Sequence, residues 1–323
     1  NCTMADIKNL KRRSELLRQI RSFFYTRHFF EVQTPILSRG TMIDEFIDPV
    51  QVQIEGIQGG LFLQTSPEFE MKRLLLRGCE AVFQMGPAIR AGESGRWHNP
   101  EFTILEWYRV GDDYWEGINF LAEFSRAFFP DREVQCMSYR EAFQSRFHVD
   151  PHLVETRELQ RLCKTSQLTV PEDLSLSDPV PWLQLLMAEV IEPSWGSGSA
   201  VIVYDWPASQ SALAKTRTQV GRDNQPVDVA ERFELYVDGI ELANGYHELC
   251  DYREHRRRLE ENNRRRIVAG KKELPIESRF LEDLSIDDLP NCCGTAFGVD
   301  RMIAILTGSP QLSDVIAFPL EDV

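Results

Sequence analysis

Apolar residues recur at helical spacing at Leu10, Leu17, Ile20 and Phe24 with lysines and arginines between them, which predicts an amphipathic helix through Lys8–His28. Phe29–Val32 then turns extended, and Thr34-Pro35 ends the run. Ser66-Pro67-Glu68 combines a capping hydroxyl, a proline suited to a first helical turn and an acid at the positive end of the dipole, so a helix is expected over Pro67–Arg77, closed by Gly78. From Val82 to Tyr108 two extended runs flank the polar loop Ala91–Asn99, which carries Gly92 and Gly95 and reads as the bend of a long hairpin.

Helices are expected over Asp112–Phe129 and Ser138–Phe147, the second opened by a Ser138/Glu141 capping box, and 150–198 mixes helix with loop. Ala200–Trp206 reads as a buried strand, whereas 207–229 is polar, punctuated by proline and glycine, and expected to be mobile. Arg232–Val237 and Ile240–Asn244 flank Asp238-Gly239, a strong hairpin signal. A charged helix over Tyr252–Ala269 precedes a glycine-rich strand and a helix between Cys293 and Leu306. Hairpins dominate over strand–helix alternation, so the expected fold class is α+β, a mostly antiparallel sheet flanked by helices.

Composition narrows the picture. Of 323 residues, 42% are apolar and 27% charged, a globular balance that excludes wholesale disorder, and no period of 20–50 residues recurs. The most apolar window, Trp182–Ile191, is far short of a membrane span, and the N-terminal stretch lacks an apolar run, so a cytoplasmic protein is expected. With 36 basic against 50 acidic residues the formal charge is −14, which works against broad nucleic-acid binding. The seven cysteines include no C-x-x-C spacing, so buried thiols are expected, not disulfides or a zinc knuckle.

Neither G-x-x-x-x-G-K-[ST] nor a strand-linked G-x-G-x-x-G occurs, so a nucleotide would have to be held by other means. Period-two alternation places Phe102, Glu106 and Tyr108 on one strand face. A charged Glu106 among apolar neighbours is costly unless it meets a cation. Glu234, Glu241 and Glu248 crowd a short hairpin that also carries Asn244; they repel one another unless cations screen them, and magnesium suits this oxygen set together with phosphates.

Three segments resemble the signature motifs of class II aminoacyl-tRNA synthetases, specifically the lysyl branch. They are Phe30-Glu31-Val32-Gln33-Thr34-Pro35; the stretch from Arg90 to Tyr108 with its unbroken His98-Asn99-Pro100-Glu101-Phe102-Thr103; and Gly294-Thr295-Ala296-Phe297-Gly298-Val299-Asp300-Arg301. The match covers essentially the whole chain. It implies one catalytic domain over 1–323 with a helical insertion around 112–198, paired as a homodimer through the first motif. It also implies ATP and Mg2+: Arg90 and Arg301 as catalytic groups on the α- and γ-phosphates, with Glu93, His98, Asn99, Phe102, Glu241, Leu242 and Gly298 also around the nucleotide. Glu234 and Glu241 match the metal ligands. Ser66, Pro67, Glu68, Glu106, Tyr108, Asn244, Tyr246, Glu248 and Ala296 match the amino-acid pocket. One departure is that the acid usually two residues after the arginine is replaced by Gly92, with Glu93 following.

Lysyl synthetases carry an anticodon-reading barrel ahead of the first motif, whereas here that motif follows a single helix, so full-length tRNA is not the expected partner. The resemblance is closer to the stand-alone elongation factor P–(R)-β-lysine ligases, which activate (R)-β-lysine as an adenylate and pass it to a lysine side chain of elongation factor P. Ala296, where lysyl synthetases usually have glycine, and Ser66, where they usually have alanine, favour that branch. A truncated synthetase that charges tRNA and a non-catalytic amino-acid-binding paralogue are the alternatives. Residues 253–272 carry nine cations against three acids and read either as a solvated helix face or as a docking surface for an acidic protein.

Overall fold

A computed structural model describes residues 5–171, 174–221 and 224–323. The chain divides into two compact units, one made of 1–113 and 248–323, the other of 114–247. No helix among the described residues is long and apolar enough to cross a membrane.

In the first unit the strand Ala81–Ile89 runs antiparallel to Glu101–Val110, which pairs antiparallel with Cys292–Gly298; the short Phe30–Glu31 lies parallel on the other edge of Ala81–Ile89. The first helix, Ile7–Tyr25, is capped by Asp6. It places Phe24 against Phe83 at 4.7 Å and Trp107 at 5.3 Å. Odd-numbered residues of the Glu101–Val110 strand thus help build the core, which leaves Phe102, Glu106 and Tyr108 to the opposite face. The helices Glu68–Leu76, Tyr252–Val268, Arg279–Leu284 and Val299–Thr307 complete the unit. Cys292 and Cys293 are buried free thiols.

In the second unit Pro226–Val237 is the hub strand, antiparallel to Ala200–Pro207, Ile240–His247 and Thr216–Val220, while Val134–Ser138 pairs parallel with Ala200–Pro207. The turn at Asp238-Gly239 has positive φ at both residues, 54° and 75°, the geometry that Asp-Gly supplies. Tyr139, Phe143, Leu159, Trp182, Leu186 and Trp206 form the core beneath this sheet. The Ser138/Glu141 capping box is present. The mobile stretch expected over 207–229 is largely ordered instead: Thr216-Arg217-Thr218-Gln219-Val220 alternates exposed and half-buried residues and pairs with the hub strand, so β-branched alternation outweighs the polar punctuation. Arg222 and Asp223, within that stretch, lie outside the described residues.

Candidate active site

In the first unit, Ser66-Pro67-Glu68 leads into the helix Glu68–Leu76, and the Ser66 hydroxyl accepts from the Glu68 amide at 3.1 Å. The same hydroxyl donates to Glu106 at 2.5 Å, and the Tyr108 phenol donates to the other carboxylate oxygen at 3.1 Å. Glu106 is 1% exposed. The cation expected beside it is not its direct partner: no basic side chain pairs with it among the described residues. Burial, reinforced by the charge of Glu68, pushes its carboxyl up to about 8, and burial also raises the Tyr108 phenol well above its ordinary range.

Lys72, one helical turn after Glu68, is 0% exposed. Its ammonium lies 2.5 Å from Glu68 and 2.6 Å from Glu248, and these two carboxylates hold its pKa above the ordinary lysine value against the desolvation that opposes them. Two acids read as substrate ligands are therefore already bridged by a cation of the protein itself. The spacing Glu68-x3-Lys72 on a helix face could have flagged half of this arrangement. Gly294 makes room for it: a Cβ there would sit 2.2 Å from the Tyr108 ring and 2.4 Å from the Glu248 carboxylate. Ala296 lies directly opposite Glu106 in the ladder, and Gln84 flanks Glu106 on the other side.

Arg90 and Arg301 both attach to the loop between the hairpin strands. Arg90, at its root, donates to the Thr65 carbonyl at 3.3 Å, lies over the Phe102 ring at 5.0 Å and stands 3.8 Å from Glu93. Arg301, in the first turn of the helix that Gly298 opens, donates to the Trp97 carbonyl at 3.1 Å and meets His98 at 2.8 Å. Asn99 bonds the Glu101 carbonyl at 2.5 Å and accepts from the Leu320 amide. Two guanidinium groups, one at the root of this loop and one bonded to it from the helix that follows Gly298, suit a polyanion such as a triphosphate.

In the second unit, Glu234 stands opposite Asn244 in the ladder, and Tyr236 opposite Glu241. Leu242 is the extra residue of a β-bulge, which turns Glu241 to the same face as Glu234 and Asn244; strict alternation would have put it on the reverse. Glu234, 3% exposed, is bonded by Arg232 and by the Tyr236 phenol, and burial and the neighbouring Glu241 charge raise its pKa while Arg232 lowers it. Arg232 also donates to Asn244 at 3.2 Å and lies over Trp206 at 4.5 Å. Tyr246 stands opposite Arg232 in the ladder. Arg232, unnoticed in the sequence, organises this face; its spacing of two from Glu234 on a strand is the signal that was there. Two mutually repelling carboxylates fit a magnesium ion that takes its remaining oxygens from phosphates. The protein alone offers no complete cage, since among the described residues no group of three His, Cys, Asp or Glu is placed to hold a metal.

The basic segment 253–272 is largely consumed by internal pairing. Arg257 and Arg258 bond Glu254, Arg264 and Arg265 bond Glu261, and Arg256 bonds Glu260 and Glu277. Arg266 and Lys271 bond Asp48. This supports the solvated-face reading over a docking surface.

A family model described as tRNA synthetases class II (D, K and N) matches residues 4–322. The chain is also similar to proteins named elongation factor P–(R)-beta-lysine ligase from Salmonella gallinarum (strain 287/91 / NCTC 13346), Salmonella paratyphi B (strain ATCC BAA-1250 / SPB7) and Salmonella heidelberg (strain SL476). Each is 40% identical over 321 residues, covering 98% of this chain and 96% of the relative.

Proposed function

The chain belongs to the class II tRNA synthetases of the D, K and N group, and from that premise we propose that it is an ATP-dependent ligase that activates (R)-β-lysine and transfers it to a lysine side chain of elongation factor P. The observation that carries the amino-acid half is Glu106, a buried carboxylate held only by two hydroxyls among its direct partners, which calls for a cationic guest. The acceptor half rests on the similarity to the Salmonella ligases.

In this reading Ser66 and Tyr108 aim Glu106 at the guest's side-chain ammonium, and Glu68 and Glu248 receive the second amine beside Ala296; Asn244 and Tyr246 are the residues of the other unit that the resemblance assigns to the amino acid. Arg90 neutralises charge that grows on the α-phosphate as a substrate carboxylate oxygen bonds to phosphorus and the bond to the bridging oxygen breaks, releasing pyrophosphate. Arg301 and His98 hold the far phosphate end, and Phe102 and Asn99 the nucleoside side. Glu234 and Glu241 would hold magnesium, which when bound supplies further positive charge to the phosphates. In the second step the acceptor ε-amine attacks the acyl carbon and AMP leaves. The exposed Tyr25, Phe30 and Ile36 around the first motif support a homodimer. A single catalytic domain over 1–323, in the cytoplasm, belongs to the same reading.

The test is pyrophosphate exchange across α-lysine, both β-lysine enantiomers and no amino acid, followed by labelling of elongation factor P. Exchange strongest with (R)-β-lysine and labelled factor are expected. Efficient charging of tRNA-Lys with an unlabelled factor would replace the acceptor assignment, and absence of exchange with every amino acid would remove the enzymatic one.

A further inference from the structure

Lys72 has no part in the resemblance that implies the other roles, yet it is a fully buried ammonium within 2.6 Å of two carboxylates read as substrate ligands. We propose that Lys72 is a specificity-determining positioning residue: it supplies one of the three positive charges that the Glu68, Glu106 and Glu248 carboxylates require, and so fixes the guest as a molecule that brings two ammonium groups. The inference rests on the functional reading above and names the substrate class of that same pocket. Three buried acids, Lys72 and a diamino acid's two ammonium groups come to charge balance once the guest has displaced the proton that buried Glu106 holds. A monoamino acid brings one ammonium fewer and leaves Glu106 to its proton, whereas without Lys72 the Glu68–Glu248 pair is one cation short even when a diamino acid is bound.

Other groups bear on the cluster from neighbouring elements. Arg90 is felt by Glu106 through space, and Tyr108 bonds it. His255, which contacts the Leu249 carbonyl, is held down to about 3 by burial and by Lys72, so it stays neutral. The Cys293 thiol is pushed up by burial and by Glu248 and also stays neutral. None of these can replace the Lys72 charge at the Glu68–Glu248 pair.

The experiment measures pyrophosphate exchange and calorimetric binding for the full chain with lysine, (R)-β-lysine and 6-aminohexanoate between roughly pH 6 and pH 8.5. Lys72→Met is expected to raise KM for the diamino acids at least about 30-fold near pH 8 while changing kcat less. The double variant Lys72→Met/Glu68→Gln, which removes one acid together with the cation that compensates it, is expected to bind lysine more tightly than Lys72→Met by about tenfold near pH 8. A folded Lys72→Met with wild-type KM, or a folded double variant that binds no better than the single, overturns the proposal, since a purely structural bridge would not be mended by deleting its second half. Should Lys72→Met fail to fold, the double variant decides alone: folded and binding lysine supports the proposal, folded without binding overturns it, and failure to fold as well assigns Lys72 to structure and overturns it too. Wild-type protein that exchanges with no diamino acid would instead defeat the functional reading, while calorimetry on the same variants still judges Lys72.

Discussion

The two units solve the same electrostatic problem in opposite ways. In the 114–247 unit, Arg232 is placed by the strand itself, two residues from Glu234, and it compensates that acid while also holding Asn244 and covering Trp206. In the other unit, Lys72 compensates Glu68 and Glu248, while the direct side-chain partners of Glu106 among the described residues are two hydroxyls. Both regions bury carboxylates at a desolvation cost of several kcal/mol per ion. A charge compensated from within makes a fixed platform, and one left to hydroxyls makes a demand on a ligand. The contrast separates an acid whose charge is met by its own strand from an acid that the described side chains leave without a direct cation.

The largest break in this contrast is Gly294→Ala. Its Cβ would overlap the Tyr108 ring and the Glu248 carboxylate at 2.2 and 2.4 Å, and one atom is strand-borne ring while the other is pinned by Lys72, so neither yields cheaply. We expect loss of amino-acid-dependent exchange to background and destabilisation of about 3 kcal/mol, read by denaturant melting. A variant with exchange within threefold of wild type would mean that the pocket is not where Tyr108 and Glu248 meet.

Next comes Glu106→Gln, for which at least a 100-fold loss in kcat/KM for lysine-class substrates is expected, about 3 kcal/mol. The sign on stability is the reverse. With a folded-state pKa near 8 against an ordinary 4.5, the folded protein keeps a proton that the unfolded chain releases, so wild-type stability falls as pH rises from about 4.5 to about 8, by on the order of 1.4 kcal/mol per pH unit. Glu106→Gln is expected to flatten that slope and to melt above wild type near pH 8. Guest binding to the wild type must expel the same proton, so affinity for lysine should tighten as pH rises toward 8 and level off beyond. An affinity independent of pH over that window would remove Glu106 from the pocket.

How much of this was legible depends on how local the signal is. The Asp238-Gly239 turn, the Ser138/Glu141 box and the hairpin flanking the Ala91–Asn99 loop are written in neighbouring residues, and each forms where the pattern places it. Alternation put Glu106 and Tyr108 on one face, which the ladder bears out. The pairing of Lys72 with Glu248 joins residues far apart in the chain and leaves no local trace. The bulge at Leu242 is a one-residue irregularity that alternation arguments cannot register, yet it decides which face Glu241 occupies. Gly294 read as a small residue in a glycine-rich motif, and only the fold reveals that it faces the aromatic and the acid it must clear.

On the compensated side of the contrast, Arg232→Met leaves Glu234 buried against the Tyr236 phenol and the Glu241 charge. A destabilisation of about 3 kcal/mol is expected at neutral pH. Because Arg232 lowers the Glu234 pKa, its loss pushes that carboxyl further up, so the deficit should shrink as pH falls and Glu234 takes a proton. Melting curves of the variant at about pH 5 and pH 8 check this; an equal deficit at both would mean that Arg232 matters through its packing on Trp206 and not through its charge.

The smallest expected effect lies on the open side of the contrast. Ala296 stands opposite Glu106 in the ladder, so its methyl lies beside the position of a guest anchored by its side-chain ammonium. In the proposed reading a guest whose amine is set one carbon further from the carboxylate passes that methyl, whereas an α-amine meets it. Ala296→Gly removes one methyl and touches no charge, so pocket affinity for (R)-β-lysine should change less than threefold while exchange with α-lysine improves by about tenfold, the range that one methyl's worth of packing commands. Ratios of kcat/KM for the two amino acids measure it. An unchanged ratio would shift the α-versus-β choice away from the strand opposite Glu106 and onto the Glu68–Lys72–Glu248 bridge, which the proposed function assigns to the second amine.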